Sequence, residues 1–372
     1  MRLETLTLTN FKNIEEAKLE FSPKINCFLG NNGMGKSNLL DAIYFMSFCK
    51  SFTGVPDAML IRNGEDFALS KGNYQRSGAS EELILGLARG RRKSLKRSGK
   101  EYTRLSEHIG LFPLVMAAPS DSNLVRGTSE ERRRWMDMVI SQGDRRYLEA
   151  LIRYNSSLEQ RNRLLRDGVC DTALYEAVEL QMDMASAYLH PKRKAWIAEL
   201  QEIFSKFYKA VAGENGEEVK LVFNGSLDSD AVGQVSLVSL LESSRRKDEL
   251  VKHTTAGPHR DDIEMTLNGM AMRRTASEGQ CKTFTTALRF AQYEFLHRAS
   301  GMRPLLLLDD IFDKLDADRV ERIMKLVTGD DFGQIFITDT NREHLAEIMS
   351  HTAGDYAMWK VSGGAFSKTD NN

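Results

Sequence analysis

The segment Gly30-Asn31-Asn32-Gly33-Met34-Gly35-Lys36-Ser37 has the residue types and the spacing, G-x-x-x-x-G-K-[ST], that hold nucleotide phosphates. Its three glycines let backbone N–H groups curl inward onto phosphate oxygens. Lys36 adds a mobile positive charge for the β- and γ-phosphates, and the Ser37 hydroxyl can ligate Mg2+. The competing reading is a glycine-rich turn that fits by chance. Context argues against it: the apolar run Ile25–Leu29 reads as a buried strand just before, and Leu39, Leu40, Ile43 and Tyr44 recur at helical spacing over residues 38–48. A helix N-terminus favours the same anion. The candidate nucleotide-binding set is therefore Gly30, Asn31, Asn32, Gly33, Met34, Gly35, Lys36, Ser37 and Asn38.

A second group lies far along the chain. Leu305-Leu306-Leu307-Leu308-Asp309-Asp310 is an apolar strand ending in two acids, the pattern of a Walker B element. Asp309 is placed to orient Mg2+ together with Ser37. Asp310 is the candidate catalytic carboxylate, positioning or activating the attacking water, with Lys36 as its cationic partner. Two acids after a strand could also be a plain helix cap, since Asp suits that position. Lys314-Leu315-Asp316 follows in the place of a D-loop.

Between these groups stands Ala276-Ser277-Glu278-Gly279-Gln280, close to the S-x-G-Q signature of ABC-type ATPases. The signature needs a small hydroxyl and a glycine at a helix start, so that Ser277 Oγ and nearby N–H groups can reach a γ-phosphate. Ser277, Gly279 and Gln280 join the nucleotide-binding candidates. In ABC ATPases the signature faces the P-loop of a second head, which makes ATP part of a dimer interface. An N-capping Ser on an ordinary helix is the bland alternative.

The elements that must position these residues read as α/β. Strands are expected at 1–10, 17–21 and 25–29, with another at 83–88 leading into the basic stretch 89–100. That stretch suits either a solvated hairpin or a loop touching nucleic-acid phosphates. Residues 129–213 show helical periodicity. Leu148, Leu151, Ile152, Leu158 and Leu165 are expected to line one face of a long helix. A second helix begins at Thr172 and is expected to be interrupted by Pro191, with a third continuing to Ala212. Heptads are not sustained, so no long coiled coil is expected. The arginines at 132–134, 145–146, 161, 163 and 166 suit solvated faces with i,i+4 partners. Asn268-Gly269 marks a hairpin turn with a return strand at 270–275, followed by a helix over 280–299 and a strand at 334–338. The expected organisation is an ABC-type P-loop ATPase head (lobe I) at 1–115 and 255–372, with a mainly helical lobe II inserted at 116–254.

Composition is that of an ordinary folded chain: 372 residues, 41% hydrophobic, 28% charged, net charge −1. Cys27, Cys49, Cys170 and Cys281 form no C-x-x-C pair, which suggests reduced thiols in a cytoplasm. No apolar run approaches the roughly 20 residues of a membrane span.

Beyond these motifs, the chain resembles the RecF family of recombination mediators among the SMC-like ABC ATPases. Asn10-Phe11-Lys12-Asn13 is similar to the family's opening N-F-R-N, Leu124-Val125-Arg126-Gly127 to its L-V-x-G, Arg132-Arg133-Arg134-Trp135-Met136-Asp137 to its R-R-R-F-L-D, and Gly257-Pro258-His259-Arg260-Asp261-Asp262 to its G-P-H-R-D-D. In that last string, His259 suits a loop hydrogen-bonder better than a general base. The resemblance implies that Lys12 belongs with the nucleotide site. It further implies a slow ATPase that dimerises on ATP, binds gapped DNA with single- and double-stranded character, and works with RecO and RecR to load RecA in repair, replication restart and the SOS response. Two departures stand out. Ala118-Pro119-Ser120-Asp121 replaces an F-x-P-E-D-like stretch, leaving its acidic or Q-loop role open. Asp339-Thr340-Asn341 replaces the switch histidine of transporter ATPases, and His344 is too far along to substitute, so Thr338 or Thr340 are the candidate γ-phosphate sensors. Two further readings are an ABC-transporter ATPase subunit, which lacks a place for G-P-H-R-D-D, and a nuclease-linked ATPase, for which no acidic metal-binding domain follows Walker B.

Overall fold

The structure, a computed structural model, describes residues 1–213, 216–229, 233–313, 315–341 and 355–369. Lys314 of the expected D-loop and His344 lie outside the described residues. In chain order the elements open with β1 (Arg2–Phe11), β2 (Ile14–Glu20), β3 (Ile25–Leu29), α1 (Lys36–Phe48), β4 (Phe67–Arg76), β5 (Ala79–Ala88), β6 (Ser94–Arg97), β7 (Lys100–Glu101) and β8 (Leu114–Ala117). Next come α2 (Ser122–Arg126), α3 (Ser129–Gly143), α4 (Arg145–Asp167), α5 (Thr172–Ala212), β9 (Val219–Asn224), the short pair β10 (Asp228–Ser229) and β11 (Gly233–Gln234), and α6 (Leu237–Val251). The chain continues through β12 (Asp262–Leu267), β13 (Met270–Ala271), α7 (Met272–Thr275) and α8 (Glu278–Ser300). It closes with β14 (Leu305–Asp309), α9 (Ala317–Thr328), β15 (Ile335–Asp339), β16 (Tyr356–Ser362) and β17 (Ala365–Thr369).

These elements form two compact units: residues 1–121, 210–213 and 282–372, and residues 122–209 and 214–281. The first unit holds two six-stranded sheets. One, ordered β2-β1-β4-β5-β6-β7, is antiparallel throughout. The other, ordered β17-β16-β3-β15-β14-β8, is parallel except for its edge strand β17. Its inner strands are buried on both faces, which is why they read as unbroken apolar runs rather than alternating ones. Each Leu buried in β14 stabilises by about 1.5–3 kcal/mol. Helix α1 touches β1 and β4 of one sheet and β8, β14 and β15 of the other. Flanked by both, it is buried almost all round, from Leu39 to Phe48.

The basic stretch after β5 becomes the hairpin of β6 and β7, turning at Ser98 and Gly99 with φ 47° and 81°. Arg97 pairs with Glu81 and Lys93 with Asp57, while Arg91, Arg92, Lys96 and Lys100 are exposed or partly exposed.

The second unit carries helices α2 to α7 and a three-stranded sheet ordered β13-β12-β9. Residues 255–281 pack here rather than with the ATPase half, because β12 pairs along its length with β9 and Asp261 ion-pairs with Arg193 of α5. Asn268 and Gly269 make the expected tight turn, both with positive φ. The return strand is only Met270–Ala271, since the chain then coils into α7. Pro191 does not interrupt α5, which runs unbroken from Thr172 to Ala212. A proline inside a helix costs one hydrogen bond and a steric clash. Here Leu189, His190, Arg193 and Trp196 are buried on either side of it, so tertiary packing overrides the local preference. Helix α4 also differs from expectation. Its buried side is Tyr147, Ala150, Tyr154, Ser157, Arg161 and Leu165, while Ile152 is exposed and Leu148, Leu151 and Leu158 are half-buried. The buried side hides arginine because Arg161 meets Glu179 and Asp248 at 2.9 and 2.7 Å, all three being buried.

Candidate nucleotide site

Strands β3, β14 and β15 run parallel, so their C-terminal ends share one edge of the sheet. In open α/β sheets that edge is where ligands bind. The glycine loop leaves the end of β3, Asp309 ends β14 with Asp310 just beyond it, and Thr338 and Asp339 end β15.

Two glycines of the loop answer specific needs. A Cβ on Gly30 would stand 2.3 Å from the Val361 carbonyl oxygen of β16, so only glycine lets the loop leave the sheet there. Gly35 precedes α1 with φ 111°, a conformation L side chains rarely adopt. The Asn13 amide lies 3.0 Å from where its Cβ would be, and Asn13 Oδ1 accepts from Asn38 Nδ2 at 2.8 Å. The buried Lys36 ammonium donates to the Gly30 and Asn31 carbonyls at 2.6 and 3.2 Å. Asn31, Asn32, Gly33 and Ser37 are exposed, with Met34 half-buried.

The glycine loop and the acid-ended strand meet directly. Ser37 Oγ donates to Asp309 Oδ1 at 2.9 Å, linking residues 272 positions apart. Thr338 Oγ1 donates to the same oxygen at 2.7 Å and accepts the Asp310 N–H at 3.0 Å. Asp310 has φ 45°, unusual for a residue with a side chain. Burial pushes the Asp309 carboxyl above the usual carboxylate range, opposed by the hydrogen bonds from Thr338 and Ser37. Asp310 is raised too, by burial first and then by the neighbouring Asp309 charge.

Comparison with known proteins agrees with this architecture. The model of the RecF/RecN/SMC N terminal domain matches residues 2–358. The chain is 48% identical over 364 residues to the DNA replication and repair protein RecF of Parabacteroides distasonis, covering 98% of each chain. It is 47% identical to the same protein of Bacteroides fragilis strain ATCC 25285, covering all of this chain and 99% of the other. The chain belongs to the RecF family. Among solved structures, the recombination mediator protein RecF with ATP in the RecFOR pathway superposes with a TM-score of 0.88 at 28% identity, covering 99% of both chains. The Smc head bound to the C-winged helix domain of ScpA shares the fold, at 16% identity and TM-score 0.60. The fold of this RecF-family chain is thus an ABC-type ATPase head with an inserted mainly helical lobe. No long coiled coil is evident among the described residues.

Lys12, expected at the nucleotide site, has its ammonium 2.6 Å from Asp41 Oδ2 on α1. Asp41 is buried and also accepts from Ser51 Oγ and the Phe52 N–H. Asp41 escaped the sequence reading, and Asn13 stood there only within the Asn10–Asn13 string, not as a site residue. The signal for Asp41 was an acid in an otherwise apolar helical run, four positions after Ser37. Thr338 is fully buried with its hydroxyl used by Asp309 and Asp310, whereas Thr340 is exposed. Asp121, from the open 118–121 stretch, is a buried partner of Arg289, with nitrogen–oxygen distances of 2.9 and 2.6 Å.

In the second unit, Ser277 caps α8 reciprocally with Gln280. The Gln280 N–H donates to Ser277 Oγ at 3.1 Å, and the Ser277 N–H to Gln280 Oε1 at 3.0 Å. Gln280 Nε2 also donates to Glu217. His259 is a hydrogen-bonded loop residue, between Tyr154 OH and the Thr254 carbonyl, and burial lowers its pKa to about 4. Asp262 holds Arg132 through two bonds of 2.7 and 3.0 Å. The family's G-P-H-R-D-D and R-R-R strings thus meet as structural ties.

Proposed function

We propose that this protein is an ATP-dependent DNA-binding protein and slow ATPase. On this reading it forms a homodimer on binding ATP and acts in the cytoplasm at gapped DNA in recombinational repair and replication restart. The carrying observation is the Ser37–Asp309 hydrogen bond at the shared strand edge, beside the Lys36 ammonium. It gives a P-loop and a Walker B acid one geometry, which suits a nucleoside triphosphate with Mg2+. Lys36 would exchange its loop carbonyls for phosphate oxygens. Ser37 Oγ would ligate the ion, and Asp309, its Oδ1 already engaged, would offer Oδ2 to the ion's water. An ion held there would supply positive charge to offset that of the phosphates. Asp310 would orient the attacking water. The relatives' names, a DNA replication and repair protein and a recombination mediator of the RecFOR pathway, support a repair role with RecO and RecR as partners. Placing RecA, replication restart and the SOS response extend that reading. Among the described residues no helix is long and apolar enough to cross a membrane.

The test is DNA affinity with and without ATP. Lys36→Met should lose ATP binding and the ATP-dependent gain in affinity for gapped DNA. Asp310→Asn should keep that gain while turnover falls about a hundredfold or more. Equal DNA affinity in wild type and Lys36→Met at saturating ATP would sink the switch.

A further inference from the structure

Of the groups at the strand edge, Thr338 has no role in the reading above, and its geometry is unusually constrained. Strand β15 is apolar from Ile335 to Ile337, then places Thr338 opposite Asp309 in the β14–β15 register. The Thr338 side chain has no solvent exposure. A buried hydroxyl is costly unless its hydrogen bonds are made. Here the hydroxyl proton goes to Asp309 Oδ1 and the oxygen accepts the Asp310 N–H. Two consecutive residues are thus held by one hydroxyl.

We propose that Thr338 is the positioning residue that orients the Asp309 carboxylate and the Asp310 backbone for magnesium-dependent ATP turnover, rather than a sensor of the γ-phosphate. This rests on the nucleotide reading of the site. Ser37 and Thr338 converge on the same oxygen of Asp309, so the carboxylate plane is fixed from two sides and its other oxygen is aimed by default. At Asp310 the φ of 45° carries an intrinsic penalty for a non-glycine residue. The N–H bond to Thr338 holds the chain in that turn, which sets where the Asp310 carboxylate points. The contact works through other residues, in the manner of the outer partners that orient metal ligands.

Valine has threonine's shape without the hydroxyl, and serine keeps the hydroxyl without the methyl. Thr338→Val should raise the Mg2+ concentration for half-maximal ATP turnover about tenfold or more. Binding of a fluorescent ATP analogue without Mg2+ should stay within about twofold, because the P-loop is untouched. A Mg2+ titration of the analogue's fluorescence should show the same weakening without any turnover. Thr338→Ser should restore both Mg2+ curves. Val matching wild type in both titrations would overturn the assignment, and so would Ser failing as badly as Val in a folded protein, which would mark a packing role. A wild type without Mg2+-dependent nucleotide binding would instead overturn the nucleotide reading, and this assignment with it.

Discussion

At the residue scale, burial sets protonation in opposite directions for acids and bases. It raises the Asp309 and Asp310 carboxyls, and it lowers His108 and His259 to about 4. The two histidines belong to different units, and each has both ring nitrogens engaged by neutral partners, Tyr102 and the Met46 carbonyl for His108, Tyr154 and the Thr254 carbonyl for His259. Burial disfavours the charged ring in both, and the hydrogen bond to the carbonyl offsets it only in part. The unfolded chain takes that proton near pH 6.5, whereas the folded chain resists it to about 4. Between those values the unfolded state binds more protons, so stability is complete above about pH 6.5 and falls as pH drops toward 4. His259→Asn should shallow this acid loss relative to wild type, read as Tm against pH from 7 to 4. Parallel Tm curves for the two proteins would contradict the assignment of His259 as a neutral hydrogen-bonder.

At the element scale, local preference and tertiary packing disagree most openly in α5. Pro191 should break the helix, yet 41 residues run through it. The expected gain on relieving that conflict is direct. Pro191→Ala restores one backbone donor and removes the ring's clash with the preceding turn, so it should stabilise the protein by ~1–3 kcal/mol, measured by denaturant unfolding. An unchanged or lowered midpoint would mean that α5 is shaped around the proline. The parallel strands were readable because burial on both faces demands uninterrupted apolar runs, as in Leu305–Leu308 and Ile335–Ile337. The P-loop and Walker B residues were readable because their chemistry restricts residue type. The buried side of α4 was not, because Arg161 looks solvated until Glu179 and Asp248, distant in sequence, arrive to satisfy it. The Lys12–Asp41 pair and the Thr338 hydroxyl were hidden for a similar reason: each depends on which residues of separate elements come into register, a relation no local pattern records.

At the scale of the whole molecule, the remaining question is where the signature residues act. Ser277 is exposed at the start of α8, and its hydroxyl oxygen accepts the Gln280 N–H of its own capping box, which leaves the hydroxyl proton as a donor. Gln280 is anchored twice, to the Ser277 N–H and to Glu217, which fixes the helix start on which a phosphate could sit. If the signature of one copy closes on the P-loop of another, ATP is the bridging group and dimerisation must depend on it. Light scattering should then report a mass near 42.1 kDa without ATP and about twice that with ATP and Mg2+ when turnover is blocked by Asp310→Asn. Adding Ser277→Arg would place a bulky cation where the hydroxyl must reach, and should abolish the doubling while ATP binding to the P-loop persists. The dimer should also be the form that holds DNA. With a net charge of only −1, affinity has to come from local cations such as Arg91, Arg92, Lys96 and Lys100, and log K should fall steeply with log salt. A dimer that forms equally without ATP, or that survives Ser277→Arg, would remove the signature from the interface and leave the P-loop to act within a single chain.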